Sequence, residues 1–260
     1  IQVDGTLCVD ENGVPLATHP LPVLTAIPTD QDDNIMSPAL YLYQWALNGV
    51  DIPGATAQTY TVAQPGTYTV TIQSISDTLC ENSATATLDI SAGPATFSAE
   101  VTTNAFADPH QIIATASSSI PGVVFEYSLD NIDGPYQDSG IFNNVTPGLH
   151  QVYIRDKRGC ATQVVSVIVV DYPRFFTPNG DGNNDTWQIT GIGEIPISQI
   201  YIFDRFGKLL KQLDPDGAGW DGNYNGAQMP ATDYWFKIIY IEGDSTPTQK
   251  EFTAHFTLKR

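Results

Sequence analysis

The chain has 260 residues, 29 of them acidic and 11 basic, for a net charge of −18. That balance excludes a nucleic-acid binder, whose affinity comes from Lys and Arg on phosphates, and fits an acidic solvated surface. No run reaches the roughly 20 apolar residues of a membrane helix, so no transmembrane segment is expected, and the length allows two or three domains. Thr, Val, Ile and Tyr alternate with small polar residues, Gly and Pro punctuate often, and no helical period is sustained. This is an all-β composition.

In chain order, residues 1–93 read as a first β-sandwich. Its strand Tyr43-Gln44-Trp45-Ala46-Leu47 ends at an Asn48-Gly49 turn, and Trp45 is the expected plug between two sheets. The acidic cluster Asp30, Asp32, Asp33 lies in a long early loop and reads as solvated, because no glycine shapes it. Ser91-Ala92-Gly93-Pro94 is a short boundary and predicts a fairly stiff joint. Residues 94–171 repeat the plan. Phe125-Glu126-Tyr127-Ser128-Leu129 turns at Asp130-Asn131, and the apolar run 164–170 is a last strand expected to be paired rather than open.

The repeat decides the architecture. Gln64-Pro65-Gly66-Thr67-Tyr68-Thr69-Val70 and Thr146-Pro147-Gly148-Leu149-His150-Gln151-Val152 share a Pro-Gly turn, an aromatic two residues on and a Val two beyond. A looser third copy centres on Tyr234. An aromatic just after a corner is a mark of immunoglobulin-like sandwiches. The expected fold is therefore all-β, three tandem Ig-like β-sandwich domains: 1–93, 94–171 and 172–260.

The third stretch opens on the most informative segment, YPRFFTPNGDGNNDTW. Asn179, Asp181, Asn183 and Asp185 recur at every second position, with Gly180 and Gly182 between them. Alternate oxygens on a tightly curled loop suit a hard cation such as Ca²⁺. They equally suit a bare turn. The twelfth position counted from Asn179 is Thr190, not the bidentate Glu of an EF-hand.

This tail resembles the gliding-motility-associated C-terminal domain, the type B sorting domain of the Bacteroidetes type IX secretion system. Phe175-Phe176-Thr177-Pro178-Asn179-Gly180-Asp181-Gly182 is similar to its opening. Tyr201 to Gly207, Trp220-Asp221-Gly222 with Asn225-Gly226, Pro230 to Ile238 and the close Phe256-Thr257-Leu258-Lys259-Arg260 follow in the family's order. The middle stretch resembles SprB-type repeats of gliding adhesins through its Tyr153-to-Cys160 strand, and the first resembles Ig-like repeats of surface proteins.

The resemblance implies a folded targeting signal recognised by the type IX translocon, with a PorP/SprF-like outer-membrane protein as partner. It also implies delivery to the cell surface of an adhesin-like protein. The chain, which begins at Ile1 without a signal peptide, is then read as the C-terminal part of a longer exported protein. Residues 252–260 alternate apolar and polar and end in two cations, so Phe256, Leu258, Lys259 and Arg260 are the expected recognition residues. Three cysteines leave one over. Cys8 and Cys80 stand at opposite ends of the first domain, and a bridge between them fits an exported protein. Cys160 is expected as a buried thiol.

No enzyme is expected. The four histidines, His19, His110, His150 and His255, are scattered, and neither a nucleophile elbow nor a zinc pair is present. The alternative function is a calcium-dependent carbohydrate-binding module for a surface glycan. It would need coplanar exposed aromatics, drawn from Tyr136, Tyr224 and Trp220. Of the three tryptophans Trp187, Trp220 and Trp235, at least two are expected in the core.

Overall fold

Period-two alternation of β-branched and aromatic residues makes strands nearly all of the regular structure among the described residues. The computed structural model describes residues 1–76, 80–191, 199–242 and 248–260. Among them the only helix is a single 3₁₀ turn, Pro38–Leu40.

The first unit pairs Val50–Asp51, Tyr41–Leu47, Gly66–Ser74 and Glu81–Leu88 in one antiparallel sheet. Gln2–Asp4, Val23–Thr25 and Thr59–Thr61 form a second, and Leu7–Val9 runs parallel to Ile90–Ala92. Trp45 is fully buried in its core, and its indole N–H donates to the Ala57 carbonyl at 2.9 Å. The second unit has two three-stranded sheets. One is Thr96–Val101, His110–Ser117, Ile141–Val145; the other is Phe125–Leu129, Gly148–Asp156, Thr162–Val169. The expected pairing of the apolar run is present: Thr162–Val169 lies antiparallel to Gly148–Asp156. The third unit has a five-stranded sheet ordered Phe175–Phe176, Thr248–Leu258, Asp233–Glu242, Gln199–Phe203, Leu209–Leu213. A small hairpin, Asn223–Tyr224 with Ala227–Gln228, stands beside it.

The internal repeat is visible as one hydrogen bond made three times. Tyr68 Oη donates to the Gln64 carbonyl at 2.7 Å, and Tyr234 Oη to the Pro230 carbonyl at 2.8 Å. His150 takes the equivalent place, its Nε2 2.7 Å from the Thr146 carbonyl. Each bond spans four residues and locks the corner before a strand. Burial pushes the Tyr68 and Tyr234 phenols up, which keeps both O–H groups as donors. The strand that follows each corner pairs antiparallel with Tyr41–Leu47, Phe125–Leu129 and Gln199–Phe203 respectively.

The joints between units are packed. The bridge expected between Cys8 and Cys80 is not formed: Cys8 is bonded to Cys160 across the first joint, with Cα atoms 5.4 Å apart. The reason is the strand course. Cys8 sits beside Ile90–Ala92, whereas exposed Cys80 precedes the far end of Glu81–Leu88, about 25 Å away along eight extended residues. Cys160 is buried as expected, but as a half-cystine.

Next to the disulfide, the wholly buried carboxylate of Asp156 accepts from buried Ser91 Oγ at 2.9 Å and from the Ala161 N–H at 2.8 Å. Gly93 lets the chains touch there, since a Cβ would stand 2.6 Å from that of Ala161. We expect Gly93→Ala to loosen this joint, read as faster limited proteolysis between the first and second units.

At the second joint Phe106, from the second unit, joins the core of the third. Its ring stacks on Phe252 at 4.5 Å and meets Tyr240 edge-on at 5.6 Å. Its N–H donates to the Val170 carbonyl. Its φ is +66°, a left-handed conformation that a bulky residue adopts only when packing compels it.

Candidate functional site on the C-terminal unit

Each feature singled out in the tail has a definite place. Phe176, Trp187, Trp220, Tyr234, Phe236 and Phe256 form an aromatic core, with Trp187 stacked on Phe256 at 4.0 Å. Trp187 and Trp220 are therefore core residues, while Trp235 is 37% exposed. With Trp220 buried, Tyr136 and Tyr224 are left of the three candidate platform aromatics, and they lie in different units. Tyr136 lies in the second unit, with the Arg155 guanidinium 3.6 Å over its ring, and Tyr224 in the third, with the Lys208 ammonium 4.5 Å over its ring.

The Asn/Asp loop is closed by its own hydrogen bonds. Asp185 Oδ1 accepts from the N–H groups of Asn179 and Gly180, at 2.9 and 2.6 Å, and its Oδ2 from Gly182 at 2.7 Å. Asp181 Oδ1 accepts from the Asn183 N–H at 2.7 Å, and Asp181 Oδ2 from the Asn179 side-chain amide at 2.9 Å. Asn179, Asp181, Asn183 and Asp185 all lie on this one loop. The two carboxylates, however, face the loop's own N–H groups, which is the geometry of a turn.

The Gly180 amide, followed by those of Gly182 and Asn179, holds the Asp185 carboxyl below the usual carboxylate range. A lowered carboxyl contributes stability above its unfolded value, about 3.9, and loses it as pH falls through the lower folded value. In an NMR titration the Gly180 and Gly182 amide shifts should therefore inflect below the ordinary Asp range. Asp185→Asn, which sets an NH₂ against one of these donors, should move both shifts at neutral pH.

The proposed recognition residues divide. Phe256 and Leu258 are 0% and 1% exposed, so their side chains serve the core and are not offered to a partner. The alternation that marks 252–260 as a strand turns these two inward. Lys259 and Arg260 are exposed. Lys259 Nζ lies 4.1 Å over the Phe175 ring, and Arg260 reaches the Gln228 side chain and the Gly222 carbonyl.

The sequence places Phe206 in the turn that ends the Tyr201-to-Gly207 motif but assigns it no role, and at 82% it is the most exposed large hydrophobic among the described residues. It sits on the turn between Gln199–Phe203 and Leu209–Leu213. Asp204 Oδ1 fixes that turn by accepting from the Phe206 and Lys208 N–H groups at 2.8 and 2.9 Å. An Asp two residues before an aromatic-Gly pair was the available signal.

Compared with known proteins, the chain has no match among curated sequences. Among solved structures it is similar to a three-Ig fragment of titin, at 13% identity and TM-score 0.31, covering 86% of this chain and 89% of that one. It is similar to a Ca²⁺-stabilised adhesin with which an Antarctic bacterium binds ice, at 11% identity and TM-score 0.31, covering 99% and 73%. Latent dimeric PorU from Porphyromonas gingivalis is matched at 13% identity and TM-score 0.23, over 98% of this chain and 32% of that one. The tail is matched by a family of its own: residues 170–254 fit the CHU_C type IX secretion signal domain, and the C-terminal unit of this chain carries that domain.

Proposed function

We propose that residues 172–260 act as a folded address, recognised by the type IX translocon and a PorP/SprF-like outer-membrane protein, that delivers the chain to the cell surface. A type IX secretion signal marks a protein for export to the surface or the extracellular space, and the match over 170–254 is the observation that carries this reading. The unit's own aromatic core supports recognition in the folded state. The two upstream units are then a covalently braced stalk of an adhesin-like, gliding-associated protein, which acts by being recognised and by reaching outward, not by catalysis.

The test is a reporter fused to residues 94–260 behind a general export signal, compared in gliding bacteria with and without a working translocon. Translocon-dependent surface reporter is expected, and loss of it on deleting 248–260. Periplasmic retention of the reporter in both strains would refute the reading. Calcium in the Asn/Asp loop remains a separate proposal, supported by the every-second-residue spacing of its oxygen-bearing side chains. It requires Tm to rise in CaCl₂ over EGTA, with the rise abolished by Asp181→Asn.

A further inference from the structure

The register of the five-stranded sheet sorts its surroundings into two ends. Phe203 is paired with Trp235, Trp235 with His255, and Asp233 with Thr257. The 204–208 turn, the start of Asp233–Glu242 and the chain end therefore lie together. Phe106 docks against Tyr240 and Phe252, about 17 Å further along the strands. One end of the sheet is thus occupied by the preceding unit, and the other points away from it.

The distal end has a distinct chemistry. Eight of the 11 Lys and Arg residues lie in 172–260, and none precedes Arg155. At this end Arg205 stands 5.0 Å from the Phe206 ring and Lys208 4.5 Å from the Tyr224 ring. Arg260 holds the neighbouring Asn223–Tyr224 hairpin region through Gln228 and Gly222. The local carboxylates are engaged: Asp204 accepts from its own turn, and Asp221 from the N–H and side-chain amide of Asn223. Besides Trp235 and Phe175, which are less exposed, what faces outward here is a Phe whose backbone is fixed by Asp204 and which is flanked by cations, on a chain that is otherwise strongly acidic. A lone exposed hydrophobic needs no explanation. A Phe on a fixed turn beside an Arg, at the free end of a secretion signal, matches the enrichment of aromatics and Arg at protein interfaces.

We propose that Arg205, Phe206 and Lys208 form the docking knob of the secretion signal, and that its partner is a protein face with an apolar pocket rimmed by carboxylates. This rests on the targeting reading above. Phe206 fills the pocket, and the rim charges pair with Arg205 and Lys208, giving orientation and encounter rate more than raw affinity.

The test uses the full chain fused to a surface reporter, with and without a working translocon, alongside Tm of each purified variant. Phe206→Ser and the double Arg205→Glu, Lys208→Glu should each cut surface reporter by roughly tenfold or more, the scale of a lost hot spot, with Tm unchanged. Phe206→Tyr, the pair Arg205→Lys with Lys208→Arg, and Leu149→Ser, at an exposed site on the second unit, should export as the parent does. Undiminished export of Phe206→Ser and of the charge-reversed pair, in a strain where the parent needs the translocon, overturns the knob while leaving the targeting reading intact. Parent export that ignores the translocon overturns both.

Discussion

Replacing Cys8 and Cys160 together by Ser should lower the unfolding free energy of the first two units by about 5 kcal/mol. The bond closes a loop with a sequence separation of 152, and the chain-entropy model assigns a loop that long about 5 kcal/mol. The buried contacts beside it add to the effect. Ser91 and Asp156 meet at the joint only while the two units are held together, and a desolvated carboxylate that loses a donor is costly. Urea unfolding of the double variant under oxidising conditions should show an earlier midpoint, and Cys80→Ser should show none. A double variant as stable as the parent would mean that the joint is held by its packed surfaces alone.

Phe106→Ala should destabilise the third unit although residue 106 belongs to the second. Truncating a buried Phe costs about 3–5 kcal/mol through lost transfer energy and the cavity left behind. Here the cavity opens against Phe252, Tyr240 and Tyr172. Ala recovers little backbone strain, since it too disfavours a φ of +66°. Calorimetry of the full chain should place the loss in the transition that a Trp187→Phe variant also shifts. Residues 172–260 expressed without the second unit should expose the same three rings and bind a hydrophobic dye more than residues 94–260 do. Equal dye binding by the two fragments would show that Phe106 is a guest in the third core, not a part of it.

What could be read from the residues was what the chain decides locally. Trp45 before an Asn-Gly turn, the Pro-Gly corners and the inward alternation at 252–258 each depend on neighbours a few positions apart. All three appear in the structure. The corner at His150 was legible for the same reason, because its ring reaches only four residues back.

The disulfide was not legible, because the parallel pairing of Leu7–Val9 with Ile90–Ala92 that brings Cys8 to the joint is a long-range register, which no local pattern encodes. Phe106 sits in a turn with no period, so nothing marks it as belonging to a later core. Phe256 and Leu258 show how the same pattern supports two uses: alternation told which way these side chains point, and that direction withdraws them from a partner and leaves Lys259 and Arg260 outside.

The Cys8–Cys160 bond also changes how the molecule would carry a load. Pulled at its two ends, as a tether in flowing water is, a chain of separate sandwiches gives way one unit at a time and pays out slack. Here tension entering at Cys8 passes through the sulfur bridge to Cys160. The stretch between them, which would span about 500 Å when fully extended, is bypassed. The force then passes from Cys160 along Thr162–Val169 to the Phe106 joint and the C-terminal sheet, so the residues between the two sulfurs add no length under tension.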